Sequence, residues 1–521
     1  MKPLSDHFVI PLCIFLQIFA SDAARILAVY PVPSISHQVT FRPITMELIK
    51  RGHEVVVITA DPMFKKGEAP QNLTEIDVHD ISYKVWEAFI ATDRGNKEDL
   101  ISQMKTGVEV IINTVDTQLQ VKEVKELVQG KGKFDLLMTE ACIRPAIAFS
   151  HVYKAPLIQI SSFGAVWVNY QVIGAPTHPF LYPGSMNQRI YNLTTYEKLS
   201  EFYTNYRIDQ LFESMEEAEN KLIKKHFGPD VPDVKELQNN VEMLFLNVNP
   251  IWEGSRPVPP SVIHMGGLPV KPHKELPQDL KSYLDSSKHG VIYISFGTNV
   301  KPSLLPAEKI QTLVKAFSKM PYDVLWKWDK DELPGKSANI RLSKWLPQSD
   351  LLRHPKIKLF VTQGGLQSTD EAITAGVPLI GVPMLGDQWY NVEKYEHHRI
   401  GVKLELGSIS EETFTNAVQK VIGDDSYRTN IAQLRTLMLD QPMTPLDRGI
   451  WWIEHVLRHG GAKHLRAPAA NMSWSQYLEI ELVAIVLSVL LSVFLLVAAI
   501  AYSLYKFVTN NYIIKAKVKS T

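Results

Sequence analysis

At 521 residues the chain is too long for one compact core, so two domains with appendages are expected. Lys plus Arg and Asp plus Glu both number 55, which excludes the broad basic field that nucleic-acid binding requires. Two cysteines, Cys13 and Cys142, exclude a disulfide-built fold.

The first segment reads as a targeting sequence. Lys2 precedes an apolar run from Phe8 to Phe19, and the small residues Ala20, Ser21, Ala23 and Ala24 follow, the pattern of a signal peptide over residues 1–24. Its cleavage removes Cys13 and with it any internal disulfide. A strand over residues 25–30 then leads through a proline-containing loop, Ser34-Ile-Ser-His37-Gln, to a helix ending near Arg51-Gly52 and a strand over residues 54–59. Pro43 belongs in the first turn of a helix, which places His37 in the loop just before it. A nearby helix N-terminus biases the imidazole toward its neutral, proton-accepting form. Residues 134–139 and 157–161 are later strands, and Asp135 reads as a cap. From about 170 to 235 the pattern turns aromatic, then helical and charged. A strand over residues 242–248 ends the first domain, assigned to 25–249. The stretch 250–277, with five prolines between Pro257 and Pro272, reads as a linker.

A second series begins with a strand at 291–296 that ends in Ser295-Phe-Gly297-Thr298. A helix at 307–319 and a strand at 323–328 follow. Asp329-Lys-Asp331 lies in a charged loop and reads as solvated surface, not as a metal-binding pair. Residues 345–388 are the most informative stretch. An apolar strand at 359–362 meets Gly364-Gly365, which lets the backbone turn tightly and approach a ligand. Ser368 followed by Glu371 has capping-box spacing, so a helix is expected to start there. A helix N-terminus behind a glycine turn is an anion site suited to a pyrophosphate. Gly376 closes the helix, Pro378 and Pro383 bracket the next strand, and Asp387-Gln388 falls at its carboxyl end, where open α/β sheets bind ligands.

This stretch resembles the signature of the UDP-glycosyltransferases, which move a sugar from a UDP-sugar onto small lipophilic acceptors. Trp345, Pro347 and Gln348 stand ahead of Gln363-Gly364-Gly365, Glu371 and Asp387-Gln388 at the family's spacings. The likeness runs from residue 25 to the tail, closest in the C-terminal domain and loosest between about 60 and 240. It implies an α/β GT-B fold: two facing, doubly wound Rossmann-like domains, an acceptor-binding one at 25–249 and a UDP-sugar-binding one at 278–440. Residues 441–481 would hold a closing helix that crosses back onto the first domain, with Trp451, Ile453, Val456 and Leu457 as packing residues.

The resemblance also implies roles. His37 is the catalytic base and Glu140, at the end of its strand, the carboxylate that fixes it; the family usually has Asp there. Trp345 offers uracil a flat face, Gln348 pairs with the base or ribose, and Glu371 accepts ribose hydroxyls. Ser295, Gly297, Thr298, Gln363, Gly364, Gly365 and Ser368 approach the phosphates, and Asp387 and Gln388 hold sugar hydroxyls. Gln363 replaces a common His, so leaving-group stabilisation rests more on backbone N–H groups and Ser368. Gln367 replaces a common Asn. The implied reaction is inverting and uses no metal or other cofactor. UDP-glucose is favoured by the insect-like wording Gln-Gly-Gly-Leu-Gln-Ser-Thr-Asp-Glu, and conjugation of toxins, hormones or pigments is the implied setting. UDP-glucuronate, UDP-galactose and a non-catalytic UDP-sugar- or lipophile-binding relative are the alternatives.

Residues 482–505 carry no charge over 24 positions, enough to cross a hydrocarbon core of about 30 Å. The following tail, 506–521, has Lys506, Lys515, Lys517 and Lys519 without an acid, which makes it cytosolic and the body luminal. Lys517 and Lys519 resemble a dilysine retrieval signal of the endoplasmic reticulum, giving a single-pass type I membrane protein. Asn72, Asn192 and Asn471 begin Asn-x-Ser/Thr triplets and are expected glycosylation sites in that topology. Homo-oligomerisation is left open.

Overall fold

Strands in this chain are nearly unbroken apolar runs, the signature of a parallel sheet covered on both faces. The computed structural model describes residues 23–90, 100–268, 273–298 and 300–518. The expected leader, apart from Ala23 and Ala24, lies outside the described residues, as do Cys13 and Lys519. The chain divides into a body up to Ala467 and a second unit from Pro468 onward.

Seven parallel strands form the first sheet: β1 (Arg25–Tyr30), β2 (Glu54–Thr59), β3 (Leu73–Asp77), β4 (Leu136–Glu140), β5 (Leu157–Ser161), β6 (Val241–Leu246) and β7 (Val262–His264). Their order is β3-β2-β1-β4-β5-β6-β7, so the winding reverses between β1 and β4. Six parallel strands form the second: β8 (Val291–Ser295), β9 (Asp323–Lys327), β10 (Ile340–Ser343), β11 (Ile357–Thr362), β12 (Leu379–Gly381) and β13 (Gly401–Lys403). Here the order β10-β9-β8-β11-β12-β13 reverses between β8 and β11. Each reversal opens a crevice at the carboxyl ends of two neighbouring strands.

Three expectations need correction. The first helix spans Ile35–Lys50, so His37 lies within its first turn, and Pro43 sits inside the helix. The missing N–H of an interior proline costs roughly 3 kcal/mol. Burial of Phe41, Ile44, Leu48 and Ile49 on that helix offsets it. The proline-rich stretch is also no free linker. Asn249 caps a short helix, Pro250–Glu253, that buries Trp252 completely, and β7 then adds to the first sheet. The C-terminal helix runs further than expected, through Ile480–Val518, carrying Lys506, Lys515 and Lys517 as a continuation of the apolar segment. Its segment Ile480–Ile513 is long and apolar enough to cross a membrane.

The Pro445–His459 helix returns to the first domain. Ile450, Ile453 and Val456 join Ile26, Phe41 and Ile44 in one core, and Arg51 pairs with Glu454 at 3.0 Å. Trp451, by contrast, is exposed.

Candidate active site

The crevice between β1 and β4 holds His37 and Glu140. Ser34 precedes the first helix and puts His37 in its first turn, while Glu140 is the last residue of β4. His37 Nδ1 lies 2.5 Å from Glu140 Oε1, and the Val32 N–H reaches Oε2 at 3.4 Å. The Glu140 side chain is buried, whereas His37 is partly open, with Phe163 edge-on at 5.9 Å between ring centroids. A carboxylate only accepts hydrogen bonds, so Nδ1 carries the proton and the Nε2 lone pair remains available. That is the arrangement of a general base with an orienting acid behind it.

The crevice between β8 and β11 is built from backbone and amides. Gly297 follows β8 with φ +76°, and a Cβ there would collide with the Gln363 amide. Gly364 has φ +89°, and a Cβ would meet Val392. Both glycines therefore permit a close approach that no other residue allows. Gln363 itself is buried, and its Oε1 has no partner among the described residues. The expected capping box is absent. The helix begins earlier, as Leu366–Ala375, with Gly365 at the cap position and no side chain capping it. Its first N–H groups thus stay available to an anion. Ser368 lies in the first turn, where its hydroxyl accepts from Gln348 Nε2 at 2.9 Å.

Gln348 is a hub, not a free edge. Its Nε2 also donates to Glu371 Oε2 at 2.7 Å, and its Oε1 accepts from the Tyr293 hydroxyl at 2.9 Å. Glu371 is thereby held at the crevice mouth. Trp345 is 66% exposed, an open ring face. Ser295 is buried, its hydroxyl 3.4 Å from the Gly297 N–H, and Thr298 lies in the turn that follows.

Asp387 and Gln388 diverge. Gln388 is buried, and its Oε1 accepts from the Met384 and Leu385 N–H groups at 2.8 Å each, which braces the loop after β12. Asp387 is partly buried, and burial pushes its carboxyl up to about 6, with the hydrogen bond from Asn391 acting in the opposite direction.

Several residues carry no obvious signal in the sequence. Lys327 ends β9, donates to the Gly297 carbonyl at 2.9 Å and lies 4.9 Å from the Trp345 ring centroid. Burial lowers its pKa. Its place at a strand end beside β8 is the only hint the sequence contains. Asn391 links Trp252, the Gly364 carbonyl and Asp387 at 3.0, 2.9 and 2.9 Å. Gln367 Nε2 crosses the cleft to the Ser36 carbonyl and, at 3.2 Å, to Thr40 Oγ1. A narrow cavity between the domains is lined by Tyr170, Ser185, Trp252, Arg256, Asp387 and Asn391. Asp329 departs from the solvated reading by clamping Ser303 at 2.5 and 3.0 Å, while Asp331 is exposed and pairs with Lys344.

Of the glycosylation triplets, Asn192 is exposed in the loop before the Thr195–Phe227 helix. Asn72 uses both amide hydrogens on the Ile49 and His53 carbonyls, at 2.7 and 2.9 Å, so a glycan there would break one bond. Asn471 lies in the second unit, ahead of the apolar helix.

Known proteins resemble this chain along its length. The profile of the family described as UDP-glucoronosyl and UDP-glucosyl transferase matches residues 25–516. An ecdysteroid UDP-glucosyltransferase of Spodoptera littoralis nuclear polyhedrosis virus is 34% identical over 497 residues, covering 91% of this chain and 96% of the relative. The UDP-glycosyltransferase UGT5 of Dactylopius coccus is 32% identical, covering 91% and 90%. Among solved structures, the glycosyltransferase VinC in complex with DTDP aligns with a TM-score of 0.56 at 15% identity, covering 84% of this chain and all of that one. The calicheamicin glycosyltransferase CalG4 aligns at 0.54 and 15%, covering 84% and 99%. These two show the shared GT-B fold. With two facing switch-point crevices and a match over nearly its whole length, the chain belongs to the UDP-glucoronosyl and UDP-glucosyl transferase family and is a glycosyltransferase that uses a UDP-sugar.

Proposed function

We propose that this enzyme transfers glucose from UDP-glucose, with inversion at C1, to a hydroxyl of a small lipophilic alcohol or phenol. The observation that carries the reading is the His37–Glu140 pair at 2.5 Å. Nε2 of His37 takes the acceptor proton as the hydroxyl oxygen attacks C1. The bond from C1 to the phosphate oxygen breaks, and the electron pair leaves with UDP. Negative charge developing on the pyrophosphate is met by the uncapped N-terminus of the Leu366–Ala375 helix and the Gly364-Gly365 turn. Trp345 stacks on the uracil, Glu371 accepts ribose hydroxyls, and Asp387 accepts from the sugar. No step calls for a metal.

A neutral hexose suits the cleft better than a uronate. Arg256, a cation lining the cavity between the domains, has its terminal nitrogens committed to the carbonyls of Pro176, Tyr182 and Pro183, and only its Nε lacks a partner among the described residues. Steroid alcohols are the first acceptors to try, because several relatives are named ecdysteroid UDP-glucosyltransferases. In this reading residues 1–24 direct entry into the endoplasmic reticulum, the body is luminal, and the Ile480–Ile513 segment anchors it.

A matrix of UDP-glucose, UDP-galactose, UDP-N-acetylglucosamine and UDP-glucuronate against steroid alcohols and phenols tests the activity. The expected result is a β-glucoside from UDP-glucose. An α-glucoside, or transfer from UDP-glucuronate alone, would overturn the reading. Intact microsomes are expected to protect the body from added protease while a tag after Thr521 is clipped.

A further inference from the structure

The base has an unexpected neighbour. Cys142 stands two residues beyond Glu140, and its partly buried thiol is held well above the ordinary thiol range by burial and by the Glu140 charge. Ring nitrogen of His37, carboxylate oxygen of Glu140 and sulfur of Cys142 all lie within 4.8 Å of one another. They form the only such group of donor atoms found among the described residues.

We propose that His37, Glu140 and Cys142 form an inhibitory site for a thiophilic divalent cation such as zinc, whose binding silences the base. This inference rests on the reading of His37 as the base. A mixed nitrogen, oxygen and sulfur set with a fourth position open is a zinc-type ligand set. Tetrahedral bonds of about 2.0–2.3 Å place ligand atoms roughly 3.5 Å apart, so His37 and Glu140, now 2.5 Å apart, open by about an ångström to admit the ion, while the sulfur already lies within 4.8 Å of both. Three bonds form, from zinc to Nδ1, to a carboxylate oxygen and to sulfur, each in place of a bond from the hydrated ion to water. The thiol proton goes to solvent, as ligation requires a thiolate. Nδ1 must also give up its proton to expose its lone pair. A proton is taken up from solvent at Nε2 in its place, so the ring stays neutral but is protonated on the nitrogen that has to accept from the hydroxyl. Occupancy thus inverts the tautomer that Glu140 enforces, and transfer stops. Because the ligands belong to the first domain, inhibition should not compete with the UDP-sugar.

The test uses the full-length protein in detergent, with cobalt as the spectroscopic probe and zinc as the inhibitor. A thiolate-to-cobalt charge-transfer band is expected in the unsubstituted protein and absent in Cys142→Ser. Zinc should abolish transfer by the unsubstituted enzyme, reversibly with a chelator. Cys142→Ser keeps a hydrogen-bond donor beside Glu140, so it should retain transfer and resist zinc. Absence of the band, or equal zinc inhibition of Cys142→Ser, would overturn the proposal. If the Ser variant misfolds, Cys142→Ala supplies the same comparison. A band without inhibition would also overturn it, by showing that occupancy leaves the base working. Failure of the base assignment itself shows separately, as transfer retained by His37→Ala.

Discussion

The two crevices share one architecture and differ in what fills them. Between β1 and β4 stands a titratable pair, with a buried carboxylate behind a half-open imidazole. Between β8 and β11 stand glycines, amides and an uncapped helix end, with the nearby cation, Lys327, held against the Gly297 carbonyl. In the function proposed above, the difference separates proton transfer from anion binding onto different sheets. Substitutions in the first crevice should therefore damage turnover, and substitutions in the second should damage donor use.

The largest effect is expected at His37. General-base assistance is worth about 10²–10⁴-fold, so His37→Ala should lower transfer on that scale. Glu140→Gln should follow it part of the way, because an amide can donate to Nδ1 and no longer fixes the proton there; the pH profile of kcat is the readout. Next comes Gly364→Ala. A φ of +89° together with the Val392 collision should cost about 1–3 kcal/mol, seen as a lower Tm and weaker donor binding. A Gly364 variant that binds donor normally would place the phosphates elsewhere.

Smaller effects should come from Gln363. A neutral hydrogen bond contributes about 0.5–1.5 kcal/mol, so Gln363→Ala should raise the donor KM by up to about tenfold. Gln363→His should keep or increase activity, since it can add positive charge. Unchanged donor kinetics in the alanine variant would remove Gln363 from the site. The slightest effect concerns Asp387. Its folded pKa of about 6 lies above the ordinary carboxyl value, so the folded state holds the proton more tightly than the unfolded one. This contribution to stability is complete below about pH 4 and is lost as pH rises through 6. Thermal unfolding across that window should show the slope, and Asp387→Asn should flatten it.

Much of this was legible because short-range rules govern it. The glycine turn, the strand ends carrying Glu140 and Ser295, and the loop after β12 all follow from local pattern. The fixed spacings carried the family. What the sequence concealed depends on distant partners. Pro43 reads as a helix start only if the buried faces of Phe41 and Ile44 are ignored. Ser368 and Glu371 read as a capping box, yet Gln348, twenty residues upstream, claims both side chains. Gln367 looks like a mere substitution until its amide is seen reaching Ser36, and Asn391 has no role until Trp252 and Gly364 meet it. Gln388 belongs to the same class, matching the motif while its oxygen braces a loop.

The division of labour between the sheets is tested most directly by calorimetric titration of UDP-glucose into His37→Ala and Gly364→Ala, alongside their transfer rates. The account predicts that His37→Ala binds donor with nearly the unsubstituted Kd while transfer is largely lost, and that Gly364→Ala binds donor weakly. Loss of donor binding in His37→Ala, or normal binding in Gly364→Ala, would contradict it.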